Sequence, residues 1–153
     1  MPRRSPRDDL VFRVDEAWRP FAAEMARLSH EAYERPTSAG WTLGAMLAHI
    51  AAWHEATAYR LHRYGATGHP QPKVVEDDDA FNARVTAESA GRHAELIRAD
   101  VHASFERLRA ALLALDPELD PKGWVEAVVA GNTYEHYELH RVELGAAGRV
   151  EAQ

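Results

Sequence analysis

The chain has 153 residues, 46% of them apolar and 27% charged, which is the length and composition of one globular domain and excludes wholesale disorder. Its net charge of −6 disfavours a protein that binds nucleic acid, and no apolar run approaches the roughly 20 residues that cross a bilayer. The first residues lack an export signal, since Arg13 interrupts the apolar stretch that follows them. We therefore expect one cytoplasmic domain over residues 1–153, with neither nucleic acid nor a membrane as a partner.

The first half of the chain contains two amphipathic segments. Residues 1–8 are basic and lack periodicity, so we interpret them as a flexible tail. Apolar residues then recur at steps of three and four from Val11 to Ala32, which predicts a helix with a kink or a restart near Pro20. The second segment opens with Thr42, a suitable N-cap, and its apolar residues keep the helical spacing.

The third segment begins at a run of aspartates, Asp77 to Asp79, which supply an N-cap and acids that the helix dipole favours. The helix that we predict there weakens near Gly91 and then resumes as far as Leu115.

The fourth segment follows an apolar run over residues 124–130. Asn132 and Glu135 resemble a capping box, so we predict that the last helix begins there and ends around Gly145. No stretch alternates apolar and polar residues with a period of two. Four helices without a sheet predict an all-α fold, and the architecture that we expect is a four-helix bundle.

Histidine is the residue type most suited to chemistry here, because the chain has nine histidines and no cysteine. His136 and His140 are four residues apart, which puts both imidazoles on the inner face of the last helix, one turn apart. At that spacing they could bind one metal ion. The alternative is a pair of polar core residues that are satisfied by hydrogen bonds.

A metal ion would need a third ligand from another helix, and the second helix offers His49 and His54. Helical periodicity alone favours His54, which lies near the centre of the apolar stripe, whereas His49 lies at its edge beside Trp53. Glu143 follows His140 on nearly the same face. It could orient a ligand or act as a catalytic base, or it could be a solvated residue that pairs with a neighbouring arginine.

Three stretches of the sequence resemble one superfamily. The second helix of the DinB-like proteins is similar to GWTLGAMLAHIAAWH. The start of their third helix is similar to DDDAFNARV, and their closing helix is similar to GNTYEHYELHR. That superfamily includes the YfiT-like, the mycothiol-dependent maleylpyruvate isomerase-like and the ClbS/DfsB-like proteins. The order and the spacing of the three stretches agree over residues 11–145.

The resemblance implies a four-helix bundle with three metal-binding histidines, one from the second helix and two from the last. Matched residue by residue, these are His49, His136 and His140. Zinc suits a site of three imidazoles, and nickel is the alternative that we expect. The resemblance therefore replaces the preference for His54 that periodicity gives. The residues that we then interpret as lining the pocket or supporting the ligands are His54, Trp53 and Tyr137.

Three imidazoles leave a coordination position open, which is typical of a catalytic metal site. We therefore expect a metal-dependent enzyme in which water (a hydrolase) or a low-molecular-weight thiol (a transferase) attacks an electrophilic small molecule. One alternative is a non-catalytic protein of the ClbS/DfsB-like branch that binds or sequesters a small molecule. Another is a stress-related bundle protein whose histidines complete a polar core. The resemblance also implies a homodimer, for which the apolar run 124–130 could supply a face.

Overall fold

The fold consists of helices. The computed structural model describes residues 2–73, 76–119 and 123–152, and within these ranges the extended structure is limited to an isolated bridge between Pro36 and Thr42. The bounds of the helices are α1 Pro6–Ala26, a 3-10 helix Glu31–Glu34, α2 Leu43–Thr67, α3 Asp78–Ser89, α4 Ala94–Leu113, α5 Trp124–Asn132 and α6 Tyr134–Ala152. The predicted all-α class is confirmed. None of these helices combines the length and the apolar character that crossing a bilayer requires.

The four long helices α1, α2, α4 and α6 form the bundle. α2 packs most extensively against α4, α1 lies against both α4 and α6, and α6 also contacts α2. Each helix buries an apolar stripe in the shared core, and one fully buried residue from each is Phe21, Leu47, Val101 and Leu144. The predicted four-helix bundle is therefore the observed architecture. The short helices α3 and α5 pack against α2 and help to cover the side where α2 faces α6.

The helix α1 begins earlier than the sequence predicts. The Ser5 hydroxyl accepts a hydrogen bond from the Asp8 amide at 3.1 Å, so residues 6–8 are helical and the predicted tail over residues 1–8 extends too far. The Arg7 guanidinium also donates to the carbonyl oxygens of Leu113 and Leu115, at 3.1 and 2.9 Å. These contacts attach the start of α1 to the end of α4.

Pro20 neither ends nor restarts α1, which continues as one helix to Ala26. The proline is half-buried, and the apolar stripe of α1 stays packed in the core on both sides of it in sequence. Packing of that stripe therefore outweighs the loss of one backbone hydrogen bond.

The predicted third helix is two helices in the structure. Asp77 caps α3 as expected, with its carboxylate 2.7 Å from the Ala80 amide. The weakening near Gly91 is a full break, because Gly91 adopts a left-handed φ of 78° that a continuous helix does not contain. The break separates α3 from α4.

The predicted capping box at Asn132 is wrong. Asn132 is the last residue of α5, and its amide donates to the Val128 carbonyl at 2.8 Å instead of capping α6. Thr133, with φ of −128° and ψ of −100°, separates the two helices, and α6 extends to Ala152, beyond the predicted end. Most of the apolar run 124–130 is buried in its own bundle, so it offers little exposed surface for a dimer.

Candidate metal centre

Three histidine side chains converge between α2 and α6. His49 projects from α2, and His136 and His140 project from α6 one turn apart. One ring nitrogen of each lies within 4.8 Å of the others, and Nε2 of His49 is 3.0 Å from Nε2 of His136. His49 is buried, and the other two are half-buried. The structure thus brings together the three residues that the resemblance implies.

An amide from α3 fixes the orientation of His49. Oδ1 of Asn82 lies 2.8 Å from Nδ1 of His49, and it accepts a hydrogen bond from Nε1 of Trp53 at 3.0 Å. The indole N–H can only donate, so the Asn82 atom between the two rings is the oxygen. His49 must therefore carry its hydrogen on Nδ1, and its lone pair lies on Nε2, the atom that faces His136. This is the tautomer that a metal ligand with a supporting acceptor adopts.

Burial keeps the three imidazoles neutral. Loss of water, together with the proximity of His140, lowers the pKa of His49 to about 4 and the pKa of His136 to about 3. Burial also lowers the pKa of His140, while the Glu143 carboxylate opposes that shift. All three rings are therefore uncharged at neutral pH, which is the form that binds a divalent metal ion.

Two nitrogens of this cluster, Nδ1 of His136 and Nε2 of His140, are buried without a hydrogen-bond partner in the described part of the chain. An unpaired polar atom costs about 1–3 kcal/mol, so an ion bound by Nε2 of His140 would remove one of these two costs. Nδ1 of His136 is not the nitrogen that faces His49, so the same ion would leave it unpaired. Two nitrogens bound to one tetrahedral zinc at about 2.0–2.1 Å lie roughly 3.3 Å apart. The 3.0 Å between the His49 and His136 nitrogens is close to that value. The residues therefore fit a three-histidine site, and imidazole suits zinc and nickel alike.

His54, which periodicity alone favours as the third ligand, lies deeper in the core. Its Nδ1 is 2.9 Å from the Ser104 hydroxyl, and its Nε2 is 2.6 Å from the Tyr137 hydroxyl. The Ser104 hydroxyl donates to the Val101 carbonyl, so it accepts from Nδ1–H of His54, and Tyr137 donates to Nε2. Both ring nitrogens are thereby occupied. Tyr137 is a core residue with 1% of its surface exposed, so neither side chain lines an open pocket.

Glu143 is bound to the loop that precedes α2. One of its carboxylate oxygens accepts from the Ser38 amide at 3.1 Å and from the Ser38 hydroxyl. Arg141, its neighbour on α6, pairs with Glu24 at 2.7 Å instead. The carboxylate thus links α6 to the loop and acts on His140 through its charge. A role for Glu143 as a catalytic base stays a prediction.

A cavity of about 400 Å³ opens beside the histidines, between α2, α3, α5 and α6. Its volume is in the range of small-molecule sites. The main polar residues of its wall are His49, His136, Asn82, Asn132, Arg60, Lys73 and Asp78. A larger recess of about 1120 Å³ lies around the start of α1, and none of the three histidines contributes to it. The smaller cavity is therefore the one that a ligand of the histidine cluster would occupy.

The Asn82 amide provides a test of how His49 is held. We expect Asn82→Ala to lower the affinity for zinc by about 10–100-fold, because His49 loses the acceptor that fixes its tautomer and ring angle. Competition with a chromophoric zinc chelator measures the affinity. The matched control is Asn132→Ala, which removes an amide from the same cavity wall that bonds to the Val128 carbonyl. Equal zinc affinities of both variants and the wild type would contradict the role of Asn82.

Asn82 and Arg60 are residues of this site that sequence reasoning missed. Asn82 stands in the DDDAFNARV stretch, but nothing local indicates that an asparagine there reaches a histidine on another helix. Arg60 follows Trp53 by seven residues and His49 by eleven, so helical periodicity puts it on the same stripe of α2. A charged residue on an apolar stripe was the signal that could have identified Arg60.

Comparisons with known proteins give a family and two solved structures. The family model described as the mycothiol maleylpyruvate isomerase N-terminal domain matches residues 14–144. A histidine-to-alanine variant of the mycothiol-dependent maleylpyruvate isomerase superposes with a TM-score of 0.73 at 16% identity, over 92% of this chain and 61% of that one. The sibling lethal factor precursor DfsB superposes with a TM-score of 0.77 at 12% identity, over 99% of both chains. No curated protein sequence matches the chain. The chain thus spans about three fifths of the isomerase, and at these identities the likeness shows the fold.

Proposed function

The chain belongs to the family of the mycothiol maleylpyruvate isomerase N-terminal domain, within the DinB-like superfamily, and we propose that it is a metal-dependent enzyme that acts on an electrophilic small molecule. The observation that carries this proposal is the cluster of His49, His136 and His140. The three rings are neutral at neutral pH, Nε2 of His140 is buried without a hydrogen-bond partner among the described residues, and a cavity opens beside the cluster.

In this proposal each histidine holds zinc or nickel through one uncharged ring nitrogen. Asn82 and Trp53 keep Nε2 of His49 directed at the ion, because the amide oxygen accepts from both rings. His49, His136 and His140 would hold the ion and leave a position for a water or a thiol, and the ion would lower the pKa of that ligand towards neutrality.

The nucleophile comes from outside the protein side chains. The sequence contains no cysteine. Ser104 is buried and donates its hydroxyl hydrogen to the Val101 carbonyl, so it is not available to attack a substrate. Water as the nucleophile would make the protein a hydrolase. A low-molecular-weight thiol, such as the mycothiol on which the isomerase depends, would make it a thiol transferase.

Turnover by three preparations tests the proposal. We expect native protein to convert members of a panel of activated esters, epoxides and haloaromatics, assayed with and without mycothiol. Metal-stripped protein and His140→Ala should be slower by at least about 100-fold, since the ion supplies several kcal/mol of transition-state stabilisation. Dependence on the thiol separates the transferase from the hydrolase. Equal rates in the three preparations would contradict the proposed metal-dependent activity. They would favour a helical bundle that binds a small molecule without converting it.

A further inference from the structure

A buried arginine lies in the same cavity as the histidines without an acidic partner. Arg60 is 8% exposed, and it is the one charged side chain among the buried polar residues in the described part of the chain. No described carboxylate forms an ion pair with it within 4.0 Å. Burial of a charge is costly unless a partner of opposite charge or a set of hydrogen bonds compensates it. The position of Arg60 therefore calls for a ligand that supplies the missing charge.

The guanidinium of Arg60 is held in place without being neutralised. Its Nε and Nη2 donate to the Gln71 carbonyl at 3.3 and 3.1 Å, and its Cζ lies 5.4 Å from the centre of the Trp124 ring. These contacts fix the plane of the guanidinium, and they occupy the edge formed by Nε and Nη2. No described residue accepts a hydrogen bond from Nη1, and the side chain forms part of the cavity wall. An oriented guanidinium with free N–H groups is suited to bind a carboxylate through two parallel hydrogen bonds.

Arg60 is the source of the positive potential in the cavity, because the other charged groups of the wall neutralise each other. Lys73 and Asp78 also line the wall, but they pair with each other at 3.1 Å. The histidines are neutral, and they lie at the other end of the cavity. Eleven residues of helix separate His49 from Arg60, which places their Cα atoms about 16 Å apart on one face of α2.

We propose that Arg60 binds the carboxylate of an elongated small molecule whose opposite end reaches the three histidines. The carboxylate neutralises the buried guanidinium, and the body of the molecule lies along the wall formed by Trp53 and Val128. The second half of this inference, that one ligand reaches both groups, rests on the proposed metal-dependent function. The recognition of a carboxylate by Arg60 does not.

Metal-free protein tests the carboxylate site by itself, with octanoate and octanamide as probes that differ in charge. Calorimetric titration of the wild type should give about tenfold tighter binding of octanoate, because a charge-assisted hydrogen bond is stronger than a neutral one. Arg60→Gln should bind the two probes equally. Arg63→Gln, which removes an exposed arginine from the same helix, should keep the wild-type preference. Equal binding by the wild type, or a preference that survives in Arg60→Gln, would overturn the proposal.

An NMR experiment on the wild type tests the carboxylate site without any variant, so its result does not depend on whether Arg60→Gln folds. The Nε–Hε resonance of Arg60 in proton–nitrogen NMR spectra should move on addition of octanoate and stay in place on addition of octanamide. Movement with both probes or with neither would overturn the assignment of Arg60.

Zinc-loaded protein tests the link between the two ends of the cavity. The probes are the monohydroxamate of octanedioic acid, which carries a zinc-binding group and a carboxylate, and its analogue with a terminal amide. The acid should bind about tenfold more tightly than the amide in the wild type and with equal affinity in Arg60→Gln. A ratio of one in the wild type would overturn the single elongated ligand. If the protein bound no zinc, the proposed function would fail while the octanoate experiment still decided the role of Arg60.

Discussion

His136→Ala is expected to lower the affinity of the protein for zinc by at least about 100-fold, because it removes one of three nitrogens that converge on one point. The remaining pair, His49 and His140, lie on different helices and would hold an ion through two bonds only. Elemental analysis of untagged protein after dialysis against buffer measures the effect. Wild-type protein should keep close to one equivalent of metal, and the variant should lose it.

The matched control for this experiment is His62→Ala. His62 is an exposed histidine on α2, so its removal takes away one imidazole without touching the cluster. We expect it to keep the wild-type metal content. Retention of that content by His136→Ala as well would show that the cluster does not bind the ion.

Tyr137→Ala is expected to lower the free energy of unfolding by about 3–5 kcal/mol, as for other large aromatic residues in a packed core. The ring stacks on Phe21 with 4.8 Å between the ring centres, and its hydroxyl donates to His54 at 2.6 Å. Tyr137→Phe keeps the stacked ring but leaves Nε2 of His54 without a donor, so it should cost about 1–3 kcal/mol. Denaturation by urea, followed by circular dichroism, measures both values.

The same two variants distinguish a core role of Tyr137 from a role in the pocket. Because the hydroxyl serves His54 and not the histidine cluster, Tyr137→Phe should leave the affinity for zinc unchanged. A loss of zinc affinity as large as that of Asn82→Ala, with the stability unchanged, would contradict the core role.

The sequence predicts the helices of this fold better than their ends. Thr42 and Asp77 are the residues that cap α2 and α3, because capping depends on a side chain and an amide three residues apart. Asn132 has the same local features and does not cap α6, since its amide bonds backwards to Val128 within α5. Pro20 fails to interrupt α1 because the buried face of that helix stays packed. Local signals fix a helix end only where packing does not oppose them.

The candidate site was predictable where its residues are neighbours in sequence. The spacing of His136 and His140 suffices to bring two imidazoles to one side of α6. Periodicity favours His54 over His49, because it identifies the centre of the apolar stripe. The centre is the deepest part of the stripe, whereas a ligand reaches residues nearer the edge. The resemblance was needed to favour His49. Asn82 joins the site through the packing of α3 on α2, which no local pattern encodes.

The most direct test of the three-histidine metal centre is an anomalous difference map from crystals of the untagged protein. The data are collected at the zinc and nickel absorption edges. We predict one peak, enclosed by ring nitrogens of His49, His136 and His140, with its open side towards the cavity that contains Arg60. A map without a peak at that position, from crystals soaked in zinc at neutral pH, would contradict the metal centre.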